Sequence, residues 1–141
     1  MNEKLMEIDR RLTEGSIEHE LIDLQHTQDT NKKFKTLILR KANGGFLAVL
    51  SSVDSKVDIK KMEAKFKTQL IFATEPEIMA VSGAEPGAVC PFDLKDVLLL
   101  IDDYALRFKR VSVGSGDVGY SLLVDPKSLM KIKGAKLTKI A

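Results

Sequence analysis

Leu5, Ile8 and Leu12 recur at helical spacing, and Gly15 follows where a stop is expected, so residues 3 to 14 read as an amphipathic helix. Ser16 to Leu24 alternates loosely between apolar and polar positions and reads as a strand. Gln25 to Lys33 is polar without a periodic face and reads as a loop. Phe34 to Lys41 and Phe46 to Ser51 have the composition of strands, and Ala42-Asn43-Gly44-Gly45 between them carries the Asn-Gly signal of a hairpin.

Further along, Asp58 can cap a helix whose Ile59, Met62 and Phe66 share one face, and Gln69 to Ala73 is a short strand. Thr74-Glu75-Pro76-Glu77 combines a capping box with proline near the helix start, which predicts a brief helix to about Val81. Asp96 to Asp102 is a nearly continuous apolar run flanked by acids, as in a buried central strand. Phe108 to Val113 and Tyr120 to Val124 are expected strands around the turn-rich Gly114-Ser115-Gly116-Asp117. Asp125-Pro126 opens a last helix through about Ile132. Strands interleaved with short helices, without a regular βαβ rhythm, predict one α+β domain on a mixed sheet over residues 1–141.

One stretch fits neither periodicity. Gly83-Ala84-Glu85-Pro86-Gly87-Ala88-Val89-Cys90-Pro91-Phe92 holds two glycines and two prolines. It must be a loop, with Pro86 and Pro91 fixing φ and Gly83 and Gly87 free to adopt values that other residues avoid. Gly-x-x-x-Pro from Gly87 to Pro91 suits a backbone cradle for a carbonyl or phosphate; the plainer alternative is a tight connection between two elements.

A chain of 141 residues, 44% hydrophobic and 30% charged, can bury a core of ordinary size. The apolar runs are too short to span a bilayer and the N-terminus has no signal-peptide pattern, so a cytoplasmic protein without membrane contact is expected. The single cysteine, Cys90, excludes an internal disulfide or a multi-cysteine zinc site. Residues 1 to 30 carry eight acids against three bases, whereas Lys127, Lys131, Lys133, Lys136 and Lys139 follow one another with no acid between them. Such a cluster can attract a polyanion or simply form a solvated tail.

Phe34-Lys35-Thr36-Leu37-Ile38-Leu39, then Gly87-Ala88-Val89-Cys90-Pro91-Phe92, then Ile101-Asp102 and Tyr120 to Leu129 together resemble the YbaK/prolyl-tRNA-synthetase-associated editing family in order and spacing. The resemblance runs from about Phe34 onward. It implies a curved mixed sheet and hydrolysis of the ester of a mischarged aminoacyl-tRNA, commonly cysteinyl- or alanyl-tRNA(Pro). A stand-alone trans-editing deacylase is thus the expectation, with mischarged tRNA and an aminoacyl-tRNA synthetase as partners. Two features depart from the family pattern: the helix usually found between His26 and Lys35 is missing, and Ser121 stands where many members carry an acid. Neither substrate identity nor a role for that carboxylate carries over.

An aminoacyl ester is already activated, so its hydrolysis needs a placed carbonyl, a nearby water and stabilisation of the oxyanion more than a protein nucleophile. Lys35 and Gly87 are accordingly the expected catalytic positions. Lys35 would hold a ribose, phosphate or ester oxygen, and amides near Gly87 to Val89 would receive the carbonyl. On strand position alone Lys35 reads as a solvent-facing lysine, as most are. Ala88, Val89, Cys90, Pro91 and, by the resemblance, Gly114, Ser115 and Gly116 would line the substrate site, while Lys131, Lys133, Lys136 and Lys139 would contact tRNA. No metal or cofactor is expected. Two rivals remain: a catalytically silent tRNA- or synthetase-binding module whose pocket is lost with the shortened N-terminal region, and a hydrolase using Cys90 with His19 or His26.

Overall fold

The computed structural model describes residues 1–140. Among them, eight strands form one mixed sheet in the order β1-β7-β6-β2-β3-β5-β8, with β4 beside β2. The strands are β1 His19–Asp23, β2 Lys32–Lys41, β3 Phe46–Ser52, β4 Leu70–Phe72, β5 Leu98–Asp102, β6 Val111–Gly114, β7 Tyr120–Val124 and β8 Lys136–Thr138. Three helices, α1 Glu3–Glu14, α2 Ile59–Phe66 and α3 Glu75–Ser82, accompany them. The α+β class and mixed sheet expected from the sequence are therefore present. No described helix is long and apolar enough to cross a membrane.

Alternation along the central strands builds the core on both faces. Ala48 and Leu50 of β3, with Phe34 and Ile38 of β2, join Ile8 and Leu12 of α1 and Val81 of α3. Leu47 and Val49 point the other way, toward Leu39, Leu100 and Met62 of α2. Successive residues of a strand face opposite sides, so helices on both faces leave the central strands apolar throughout. The helix starts follow the sequence. The Asn2 side chain accepts from the Leu5 N–H, Asp58 from Lys61, and Thr74 with Glu77 completes the capping box.

The differences from the sequence reading have local causes. The first strand covers only His19–Asp23, because Ser16 takes a positive φ at the end of α1. β2 begins two residues earlier than its apolar pattern, since Lys32 and Lys33 pair in parallel with Val111 and Ser112. Asp96 has φ +51 and cannot extend β5. Phe108 lies outside β6; it ends a 3-10 turn, Asp103–Arg107, and packs edge-on against Tyr104 with ring centroids 5.1 Å apart. Pro126–Lys131 is a 3-10 segment and not an α-helix. The hairpin forms, but Gly44 and Gly45 supply the positive φ values and Asn43 does not. β8 carries no apolar periodicity and is fixed by parallel pairing with Leu100–Asp102 of β5.

Candidate functional site

The sheet opens where two ladders part. β2 pairs with β6 only through Lys32 and Lys33, and its pairing with β4 begins at Leu39, so Phe34 to Ile38 have no strand on that edge. A cleft of about 350 Å³ occupies the gap. Lys35, Thr36 and Leu37 of β2 form one wall, Ser112 and Gly114 of β6 with Ser121 of β7 the other, and Gly87 and Val89 of the glycine loop reach between them.

That loop is tied down at several points. Gly83 ends α3 with φ +67 and donates its N–H to the Met79 carbonyl at 2.7 Å. Ala88 donates to the Glu85 carbonyl at 3.0 Å and accepts from the Gly116 N–H at 2.7 Å. At the far end Asp93 is held by Lys4 at 2.8 Å and by Arg11, both from α1. The tightest approach is at Gly114, where an added Cβ would lie 2.0 Å from the Val89 carbonyl oxygen. Only glycine fits there, because a side chain would occupy the space of the loop backbone. Gly87 differs: its φ is +87, and an added Cβ would meet nothing within 4 Å. Its face is open to the cleft. Neither Gly87 nor Val89 N–H has an acceptor among the described residues.

Lys35 is exposed and pairs across the ladder with Ser51. Unlike Lys32, which lies 2.8 Å from Asp54, neither Lys33 nor Lys35 has a carboxylate within ion-pair distance among the described residues. Two unneutralised cations thus stand on the β2 side of the cleft. Thr36 adds a buried hydroxyl oxygen that has no hydrogen-bond partner in the described residues. Among the described residues, no group of three or more His, Cys, Asp or Glu is arranged to hold a metal ion.

Of the residues expected at the site, Lys35, Gly87, Val89 and Gly114 converge on the cleft. The others need correction. Ala88 and Cys90 are 2% and 1% exposed, turned into the core beneath the loop. Burial pushes the Cys90 thiol up to about 12, so it remains protonated and is neither a pocket wall nor a ready nucleophile. Pro91 borders a separate hollow with Phe92, Val97 and Leu99. Ser115 is fully buried; its hydroxyl lies 2.8 Å from the Tyr120 carbonyl and closes the turn. Gly116 packs under α1, with Lys4 and Ile8 where a Cβ would stand. These two support the cleft from behind.

The tail lysines are not one cluster. Lys131 and Lys133 border a hollow with α1 and Phe92, whereas Lys139 lies with Lys32, Asp54 and Tyr104 near the start of β2. Sequence reasoning missed Lys33, Ser112, Val118 and a lining role for Ser121. Serines interrupting two otherwise apolar strands were the available signal. Residues 24 to 31 contain no helix, as the departure from the family pattern implied, yet the cleft persists with Leu24 and Val118 at its margin.

Known proteins can be compared with this geometry. The aminoacyl-tRNA editing domain matches residues 21–132. A proline–tRNA ligase of Shouchella clausii is 28% identical over 92 residues, covering 65% of this chain and 16% of the ligase. One from Staphylococcus saprophyticus is 32% identical over 84 residues, covering 59% and 15%. The chain thus spans about one sixth of the length of these relatives. Among solved structures, a candidate trans-editing enzyme for prolyl-tRNA synthetase superposes with TM-score 0.84 at 17% identity, covering 99% of this chain and 98% of that one. A hypothetical protein superposes with TM-score 0.83 at 22% identity, covering 94% and 97%. At such identities the superpositions establish the fold, and the domain match over most of the sequence establishes the family: the chain belongs to the aminoacyl-tRNA editing domain family.

Proposed function

We propose that the protein is a trans-acting deacylase that hydrolyses the ester of a mischarged tRNA, with cysteinyl- or alanyl-tRNA(Pro) as its substrate class. The observation that carries this reading is the parted ladder. It brings to one cleft a lysine and loop amides that have no partner among the described residues, together with an open glycine face, a combination suited to an activated ester with an anionic tail.

In this mechanism Lys35 holds a phosphate or ribose oxygen of the tRNA terminus and directs the ester into the cleft. The carbonyl oxygen approaches Gly87, where no side chain obstructs it, and the Gly87 and Val89 amides stabilise the oxyanion as water adds. Collapse of the tetrahedral intermediate breaks the bond to the ribose oxygen, which takes up a proton, releasing free amino acid and intact tRNA. Neither a covalent intermediate nor a thiol is required, and the buried, protonated Cys90 supports that reading over a cysteine-dependent one. The persistence of the cleft favours catalysis over a silent binding module.

The test is a deacylation panel of alanyl-, cysteinyl-, seryl- and threonyl-tRNA, with tRNA binding measured on the same preparations. Turnover of alanyl- or cysteinyl-tRNA(Pro) supports the reading. Binding without turnover of any ester contradicts it in favour of the silent module.

A further inference from the structure

The backbone of β2 bonds to its neighbours in strict alternation. Lys33 accepts from the Val53 N–H and Lys41 donates to the Gly45 carbonyl, so the odd-numbered residues face β3. Ile38 accepts from the Ala73 N–H, and just past the strand Ala42 donates to the Gln69 carbonyl, so the even-numbered residues face the opposite edge. The β2–β3 register runs unbroken from Phe34 opposite Ser52 to Arg40 opposite Phe46, and the alternation therefore holds throughout. Thr36 lies where neither β6 nor β4 is paired with β2. Its N–H and its carbonyl both point to the open edge, and neither has a partner among the described residues. Backbone groups within a fold are otherwise almost always paired. Lys33 to Leu37 line the cleft along this edge, so the free donor and acceptor of Thr36 are presented to whatever enters it.

We infer that this edge reads the base of the terminal adenosine of the tRNA, with the Thr36 N–H donating to adenine N1 and the Thr36 carbonyl accepting from the N6 amino group. One residue of an extended strand offers a donor and an acceptor directed the same way, and its complement is a group with an acceptor and a donor side by side. The Watson–Crick edge of adenine is such a group, and unstacked bases at the ends of RNA are commonly read on that edge. The ammonium group of an aminoacyl ester carries donors only, and a phosphate acceptors only. The adenosine at the 3′ end of a tRNA bears the ester on its own ribose, so base and scissile bond enter the cleft together. Lys35, the residue before Thr36, then holds the ribose or phosphate of the same nucleotide, and the ester reaches toward Gly87. Leu37, Val118 and Tyr120 line the same cleft and supply apolar surface for the faces of the base.

This inference rests on the deacylase reading, and its test separates the two. The ester turned over fastest in a panel of alanyl-, cysteinyl-, seryl- and threonyl-tRNA is remade with a single altered nucleoside at the 3′ end. 1-Deazaadenosine removes the N1 acceptor, purine riboside removes the N6 amino group, and 7-deazaadenosine changes only the opposite edge of the base. For the wild-type protein the first two should each lower kcat/KM about three- to ten-fold, the size of one neutral hydrogen bond, while the third stays within about two-fold of adenosine. Thr36→Pro removes the N–H on an edge where no ladder bond is lost, a position that tolerates proline, and should process adenosine- and 1-deazaadenosine-ended tRNA at equal rates. Thr36→Val retains both backbone groups and should retain the wild-type ratio. The amide resonance of Thr36 gives a readout that needs no variant: the nonhydrolysable amide-linked analogue of the aminoacyl adenosine should shift it downfield, and its 1-deaza counterpart should not. Wild-type rates that ignore all three base changes, a 1-deaza effect that survives Thr36→Pro, or an unmoved Thr36 resonance would each overturn the inference while leaving the deacylase reading intact. Failure of the wild type to hydrolyse any ester overturns both.

Discussion

Gly114→Ala tests how the loop is held, and its effect can be worked from the structure. The new Cβ would stand 2.0 Å from the Val89 carbonyl oxygen, 2.7 Å from its carbon and 3.1 Å from the Ala88 carbonyl carbon. Carbon contacts are comfortable from about 3.5 Å, so the loop must retreat by roughly 1.5 Å or β6 must shift by as much. The Ala88 carbonyl is bonded to Gly116 at 2.7 Å and Asp93 is clamped by two basic residues of α1, so retreat strains contacts at both ends. Overpacking of this kind costs about 2 kcal/mol, which lowers the midpoint of thermal unfolding by about 8 °C in a domain of this size. Displacing the loop amides by more than about 1 Å should also cost about 10²-fold in deacylation. Gly87→Ala is the contrasting variant: its methyl group meets no atom, so stability falls only by the roughly 1 kcal/mol of a positive φ, while activity falls because the methyl group projects where the ester approaches. Scanning calorimetry and single-turnover deacylation measure both quantities. A Gly114→Ala protein with the wild-type midpoint and rate would refute the close approach and the positioning argument built on it.

Two further expectations concern the cysteine and the tail. Cys90→Ser should keep most of the activity while losing stability, since a hydroxyl replaces a thiol in an apolar site; iodoacetamide should label native Cys90 far more slowly than the unfolded chain, and rapid labelling with loss of activity would restore the thiol mechanism. Neutralising Lys33 and Lys139, which lie toward the start of β2, should flatten the salt dependence of tRNA binding by roughly 0.7 to 0.9 for each phosphate no longer held, whereas neutralising Lys131 and Lys133 should leave it unchanged. The opposite result would move the tRNA to the α1 side.

The elements governed by local chemistry were legible in the sequence. Caps at Thr74 and Asp58 and the apolar face of α1 depend on neighbouring residues, and they stand where they were expected. Elements recruited by pairing were not: β8 and the Lys32–Lys33 extension of β2 exist because a distant strand offers hydrogen bonds, which no local pattern records. The same distinction explains the site. The Gly-x-x-x-Pro loop stood out by composition, but the direction of each side chain depended on how the loop fits between β2 and β6. Gly87 therefore lies open to the cleft and Val89, only 4% exposed, borders both cleft and core, while Ala88 and Cys90 lie in the core alone. Asp29 sits in a polar stretch without periodicity, and only the folded chain brings its carboxylate within 2.6 Å of the Ser112 hydroxyl on β6.

If Lys35 works with the loop amides on an aminoacyl ester, single-turnover deacylation of alanyl- and cysteinyl-tRNA(Pro) must separate the wild-type from the Lys35→Ala protein. Lys35 is exposed and makes no ion pair among the described residues, so its removal should leave the thermal midpoint unchanged while lowering the rate by about 10²-fold or more, on the order of 3 kcal/mol of barrier. Lys35→Arg should recover only part of the loss, because the broader planar group does not reproduce a compact ammonium. A Lys35→Ala protein that deacylates at the wild-type rate, or a wild-type protein that leaves both esters intact, would rule this mechanism out.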